Sequence, residues 1–322
     1  MATRMDRYKK TAAQNHQNND NKPKRKKHYF RNTLLIIILI LCAIGGKIYY
    51  DAHHAVSQMQ VGNEKGVSEK VKEGQPISIL ILGVDDGALD RGKSGGRSDT
   101  MMVLTLNPQK KQATLVSLER DSYVTIAGEG TKAKLNSAYA YGGAKTAVKT
   151  VENLLDIPID YYTTINMGGL ESLTDAVGGI TVKSNLAFTY DGYTFKKGEN
   201  DLKTGKEALA FVRMRYDDPE GDYGRQRRQR AVVEALMAKM KSPSALLHYK
   251  SILNEVSDNA KTDMNFKTMQ DVVKKYHSCF NNVKSDYLHG EGFMLNGISY
   301  QDVSTDLPRI QKLLQSQLNV AN

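Results

Sequence analysis

Charged side chains of two kinds recur where the sequence pattern changes. Asp85 and Asp86 follow an unbroken aliphatic run, Arg97 and Asp99 come straight after the glycine-rich stretch Gly92-Lys93-Ser94-Gly95-Gly96, and Arg120 closes another apolar run. Arg213 and Arg215 stand two apart, a spacing that points both side chains the same way in extended chain. Arg225 and Gln229 stand four apart, one turn of helix. A guanidinium is planar, keeps its proton, and matches phosphate oxygens in pairs, so several converging arginines favour a phosphate-rich ligand over a carboxylate. Two aspartates beside such a ligand would repel each other. Mg²⁺ removes that repulsion, because it takes one or two carboxylates together with substrate phosphates. A metal-chelated pyrophosphate accounts for both signs of charge.

Elements of defined register must bring these groups together. Ile77 to Val84 reads as a strand buried on both faces, and Met101 to Leu106 and Ala113 to Leu118 read as a hairpin across Asn107-Pro108-Gln109-Lys110-Lys111. A turn centred between Gln109 and Lys110 places Asp99 opposite Arg120 at the open end. In open α/β sheets, the carboxyl ends of strands are where ligands bind. The plain alternative is a rim salt bridge of about 0–1 kcal/mol. A capping box at Thr204-Gly205-Lys206-Glu207 opens a helix to about Val212, just before Arg213. In the helix from Tyr223 to Met240, Arg225, Gln229, Val232, Val233, Leu236 and Met240 share a face, and Arg227, Arg230 and Glu234 fall on the other. Arg225 therefore continues the buried stripe at the positive end of the helix dipole, a place that wants an anion. Pairing with Asp217, Asp218 or Asp222 would also satisfy it. Arg227 and Arg230 read as a solvated face.

Further helices are expected at Ala144–Leu155, Leu170–Val177, Thr268–Tyr276 and Pro308–Leu318, and strands at Tyr161–Ile165, Ile180–Val182 and Phe293–Ile298. Strands alternate with helices, so the fold class is α/β, an α-β-α sandwich around a mixed central sheet. Tyr139, Tyr141, Gly142 and Gly143 suit either a pocket wall or an aromatic-packed turn. Residues 76–320 show no internal boundary.

The net charge of +10 is uneven: residues 1–31 hold ten Lys/Arg against two acids, leaving +2 for the remainder. That distribution argues against a nucleic-acid partner for the folded part. Residues 1–31 read as a disordered basic cytoplasmic tail, 32–50 as a transmembrane anchor, and 51–75 as a stalk or weak helix. The positive-inside rule then puts everything after Tyr50 outside the cell. A cleaved signal peptide and a buried helix are the alternatives for the apolar segment. Cys42 and Cys279 make no disulfide framework, the seven histidines show no HExxH spacing, and GxSxG, Walker A and GxGxxG signatures are missing from any strand-to-helix setting.

The runs ILILGVDD, GRSDTMMVLTLNP, SLERD, KLNSAYAYGG, TINMGGLESLTDAVGGI and RMRYDDPEGDYGRQRRQR, in order across residues 77–240, resemble the LytR–CpsA–Psr family, nearest to its capsule-associated CpsA-type members of Gram-positive cocci. The resemblance implies a domain that binds polyprenyl pyrophosphate lipids and transfers a phospho-glycan, capsular polysaccharide being the expectation, to peptidoglycan, with polyprenyl phosphate leaving. It implies Asp85 and Asp99 as ligands for Mg²⁺, or Mn²⁺ in its place. It implies Arg97, Arg120, Arg213, Arg215, Arg225 and Gln229 as phosphate-binding groups, with Asp99, Arg120 and Arg215 nearest the chemistry. Asp86-Gly87-Ala88 stands where the family often carries a basic residue. A pyrophosphatase, a lipid-binding scaffold and a membrane-bound transcriptional attenuator are the competing functions. A lipid tail also calls for an apolar tunnel beside Arg120 and Arg225, with Val151, Leu154 and Val232 as wall candidates.

Overall fold

The computed structural model describes residues 26–65, 68–84, 96–240, 252 and 256–320, with backbone alone for 26–39, 41, 58, 60–65 and 240. Asp85, Asp86, the stretch Gly92–Gly95 and residues 1–25 of the tail therefore lie outside the described residues. By internal contacts the chain divides into Met1–Tyr50 and Asp51–Asn322. Helix α1 covers Lys26–Met59. Among the residues searched, no helix is long and apolar enough to cross a membrane, and the side chains of residues 33–39 and 41, the heart of the expected anchor, are outside the described ones.

A seven-stranded mixed sheet carries the second unit, in the order β1-β12-β7-β2-β3-β4-β13. Its strands are β1 (Gln60–Lys65), β2 (Ile77–Val84), β3 (Ser98–Asn107), β4 (Gln112–Ser117), β7 (Tyr161–Asn166), β12 (Ala260–Met264) and β13 (Val283–Tyr287). β2 runs parallel to β7 and antiparallel to β3, and β4 runs antiparallel to β3 and parallel to β13. The near-continuous apolar runs of β2 and β3 explain why both faces are covered. Leu80, Leu82, Met101 and Val103 face α3 (Ser137–Leu155) and α8 (Leu307–Leu318), meeting Val151, Leu155, Ile310 and Leu314. Ile77, Ile79, Met102 and Leu104 face the other way, toward α2 (Glu69–Glu73) and α7 (Phe266–Tyr276), meeting Val71, Val272 and Tyr276.

A third core joins β8 (Ile180–Ser184) to α5 (Gly205–Arg213) and α6 (Asp222–Met240). Thr204 caps α5 with the reciprocal Glu207 contact that its sequence signature predicts. Helix α4 (Met167–Ala176) ends at Gly178 and Gly179, whose φ values of 73° and 80° need glycine. Short hairpins complete the unit: β5 (Tyr123–Thr125) with β6 (Lys132–Lys134), β9 (Phe188–Tyr190) with β10 (Tyr193–Phe195), and β14 (Glu291–Leu295) with β15 (Ile298–Asp302), while β11 (Gly198–Leu202) pairs with β8.

Two local expectations differ. Phe293–Ile298 is a hairpin rather than one strand, because Asn296 and Gly297 take positive φ and turn the chain. The segment 51–75 carries regular structure: β1 adds to the sheet beside β12, and Val71 of α2 is wholly buried.

Candidate functional site

The β3–β4 register pairs Met102 with Ser117 and Asn107 with Gln112, the alignment that the five-residue turn dictates. Continued outward, it sets Asp99 beside Arg120, and Arg120 Nη1 donates to Asp99 Oδ1 at 2.6 Å. This pair lies at the edge where β2 and β4 end and β3 begins. Helix α6 starts over the same edge with Asp222, an acid in the first turn where the helix dipole favours it.

Asp222 is the hub of the cluster. Its Oδ1 lies 2.6 Å from Arg225 Nη2 and 3.6 Å from Arg215 Nε, and its Oδ2 lies 3.5 Å from Arg120 Nε. One carboxylate thus gathers three guanidiniums without satisfying them. Arg120 Nε, Arg225 Nε and Arg225 Nη2 are buried and lack a properly aligned hydrogen-bond partner. Asp99, Arg120, Gln226 and Gln229 line a narrow crevice. As it stands the crevice is closed even to a water molecule, so a phosphate enters it only with a shift of the lining side chains, and a long lipid chain has no channel there. Of the tunnel-wall candidates, Val151 sits in the core under α3 and Val232 in the separate α5–α6 core, so the two are not brought to one channel.

Electrostatics at the cluster follow burial first. Burial opposes the charge of Arg120, yet Asp222, Asp99 and Asp121 together hold its pKa above the ordinary value. Burial lowers the pKa of Arg225, Asp222 opposes that, and Arg120 adds to it. Glu119 is buried behind Arg120, accepting from Gln226 Nε2 at 2.6 Å, and burial followed by the Asp222 charge pushes its carboxyl up.

The structure therefore brings Asp99, Arg120, Arg215, Arg225 and Gln229 together. Arg97 stands exposed before β3 and Arg213 half-buried at the end of α5, and neither makes a hydrogen bond or ion pair with a described residue. Asp85 follows β2 into residues outside those described. Asp222 entered the sequence argument only as a partner for Arg225, and Glu119 and Gln226 not at all. Glu119 precedes Arg120 in a strand end, and that adjacency was the available signal.

Two arginines of α6 differ from the single-face expectation. Arg228 is 1% exposed and pairs with Asp218, donating also to the Phe211 and Met214 carbonyls and lying 5.1 Å over the Phe188 ring. Gly224 permits this, since a Cβ there would overlap the Asp218 carboxylate. Arg230, expected in solvent, is 8% exposed and stacks on Tyr287. Only Arg227 stands on the solvated face, paired with Glu220 at 2.8 Å. The reason is that α6 is packed on several sides, so one apolar stripe does not describe it.

No group of three or more His, Cys, Asp or Glu suited to a metal ion occurs among the described residues. Asp99 nonetheless fits a hard cation completed by phosphates: Arg120 occupies Oδ1, and the half-exposed carboxylate keeps Oδ2 without a hydrogen-bond partner among the described residues.

An α/β domain with a mixed sheet and a guanidinium cluster beyond its strand ends is the class to which this geometry points. Residues 46–317 match the model of the LytR_cpsA_psr family, and the chain belongs to that family. It is 48% identical over 280 residues, 86% of its length and 91% of the relative's, to the polyisoprenyl-teichoic acid–peptidoglycan teichoic acid transferase TagU of Enterococcus faecalis. Among solved structures it resembles a Streptococcus agalactiae protein, with TM-score 0.73 and 38% identity over 81% of this chain and 93% of that one. It also resembles TagT bound to LI-WTA, with TM-score 0.65 and 30% identity over 80% of this chain and 98% of that one.

Proposed function

We propose that this protein transfers an anionic glycopolymer from a polyprenyl pyrophosphate carrier to peptidoglycan, on the outer side of the membrane to which residues 32–50 anchor it. The observation that carries the proposal is the incomplete hydrogen bonding of Arg120, which lines the crevice, and of Arg225, which shares Asp222 with it: buried cations are held ready for oxygens that no side chain supplies. Relatives that share nearly the whole chain are named as transferases of teichoic acid, so wall teichoic acid is the polymer we favour, with capsular polysaccharide as the one to test against it.

In this proposal the pyrophosphate sits between Arg120, Arg225 and Arg215, with Gln229 donating an amide N–H, and Arg97 and Arg213 approach from the rim. Asp85 and Asp99 would hold Mg²⁺ or Mn²⁺, which supplies charge neutralisation at the phosphates. A peptidoglycan hydroxyl attacks the sugar-side phosphorus, that P–O bond forms as the bond to the bridging oxygen breaks, and polyprenyl phosphate leaves. Fixed guanidiniums stabilise charge on the transferring and leaving oxygens without reorganising. Asp222 holds three of them around one carboxylate, and the base that takes the hydroxyl proton is unassigned.

The test is product analysis with a labelled polyprenyl-pyrophosphate precursor, with and without a peptidoglycan acceptor. Label on peptidoglycan only when acceptor is present supports transfer. Equal release of polyprenyl phosphate without acceptor points to the pyrophosphatase instead.

A further inference from the structure

Arg230 is a second incompletely bonded cation of α6, outside the Asp222 cluster. Its residue is 8% exposed, its Nη1 is buried without a partner, and it makes no hydrogen bond or ion pair with any described residue. The Tyr287 ring lies 5.3 Å from its guanidinium carbon. Burial lowers its pKa, Glu234 opposes this, and Arg227 adds to the lowering. A guanidinium stays charged even so, and a buried N–H without an acceptor is unfavourable. Glu234 and Asp286 lie within electrostatic reach, but the buried Nη1 still has no hydrogen-bond acceptor.

Beside it lies a cavity of about 540 Å³ between α6, β8 and β13. Lys183, Arg227 and Arg230 line it with a single acid, Glu234, and with the hydroxyl of Ser285. Arg227 shares its charge with Glu220, whereas Lys183 stands exposed on β8. The groove is distinct from the crevice: Gln226 and Gln229 border the crevice, and Arg227, Arg230, Ala231 and Glu234 border the groove. With a helix about 10 Å across and a rise of about 1.5 Å per residue, the two sites are separated by roughly one helix width. A ligand longer than a pyrophosphate can reach both.

We propose that this groove is a second anion subsite, taking a phosphodiester or carboxylate carried on a glycan chain while the pyrophosphate end of the donor occupies the crevice. This rests on the transferase reading, in which two charged glycans must meet at one protein. The phosphodiester would come from the polymer being transferred, the carboxylate from the peptidoglycan that receives it.

Two soluble probes separate these sources: a short glycerol-phosphate oligomer, which has phosphodiesters, and a muramyl dipeptide, which has carboxylates and no phosphate. Each is titrated into the full chain in detergent by calorimetry, for wild type, Arg230→Gln and Lys183→Glu. At least one probe should bind wild type, Arg230→Gln should weaken that probe tenfold or more, and Lys183→Glu, at an exposed strand position, should weaken it several-fold. Binding of the oligomer alone assigns the groove to the polymer, and binding of the dipeptide alone assigns it to the acceptor. Failure of both probes to bind, or binding unaffected by both substitutions, overturns the subsite. Polyprenyl pyrophosphate binding is measured on the same samples. A chain that takes the lipid but neither probe sinks the groove alone, and one that takes a probe but not the lipid sinks the transferase reading instead.

Discussion

Two arginines three residues apart on α6 live in opposite conditions. Arg228 is buried with Asp218, two backbone carbonyls and an aromatic face, so its donors are used within the protein. Arg225 is nearly as buried, but its Nε and Nη2 lack aligned partners, and its one acid is shared with Arg120 and Arg215. Arginine content alone does not separate these roles. Hydrogen-bond completeness does: a satisfied buried guanidinium holds structure, and an unsatisfied one marks a place for a ligand.

The largest expected effect falls on the satisfied arginine. Arg228→Met leaves Asp218 buried and alone, and should destabilise the fold by about 3–5 kcal/mol in denaturant titration. A loss below about 1 kcal/mol would erase the distinction, because surface pairs are worth that much. Next comes Arg120→Ala, which should lower the transfer rate by about 10²-fold or more while moving folding stability by roughly 1 kcal/mol or less. A comparable loss in both would make Arg120 a structural residue like Arg228.

The acids sharpen the comparison further. Asp99→Ala and Asp85→Ala should each abolish the Mg²⁺ dependence of transfer along with its rate, and a residual rate that still rises with Mg²⁺ would remove them from metal binding. The smallest effect concerns Glu119, whose carboxyl is pushed up by burial and by Asp222. A carboxyl with a raised folded pKa loses stability as pH rises through that value, so Glu119→Gln should raise Tm at neutral pH. The gain should fade as pH falls to the ordinary carboxylate value of 4.5, and a gain that persists in acid would point to packing instead.

Local chemistry made the hairpin legible in the sequence. A Pro-containing turn between two apolar runs sets a register in which Asp99 meets Arg120, and the capping box sets the start of α5. What was not legible depended on tertiary surroundings. The helical wheel assumes one buried stripe, whereas α6 meets the α5 core through Val232, the sheet through Val233 and Met237, and Tyr287 through Arg230. Hence the wheel places Arg230 in solvent, where the fold buries it against Tyr287. Asp222 looked like one of three acids able to pair with Arg225, and only the approach of β4 to α6 shows it gathering Arg120 and Arg215 as well. The Asn296-Gly297 turn, by contrast, was a readable hairpin signal inside Phe293–Ile298.

The central claim, that the unsatisfied guanidiniums around Asp222 bind a pyrophosphate, is tested most directly by the affinity of the full chain in detergent for polyprenyl pyrophosphate, with Arg120→Ala and Arg225→Ala set against Arg227→Ala. The first two should each weaken binding by about 2 kcal/mol or more, the loss of a charge-assisted contact in a partly dry site, and the exposed Arg227 control by well under 1 kcal/mol. Equal losses for all three substitutions, or no loss from Arg120→Ala and Arg225→Ala, would contradict it.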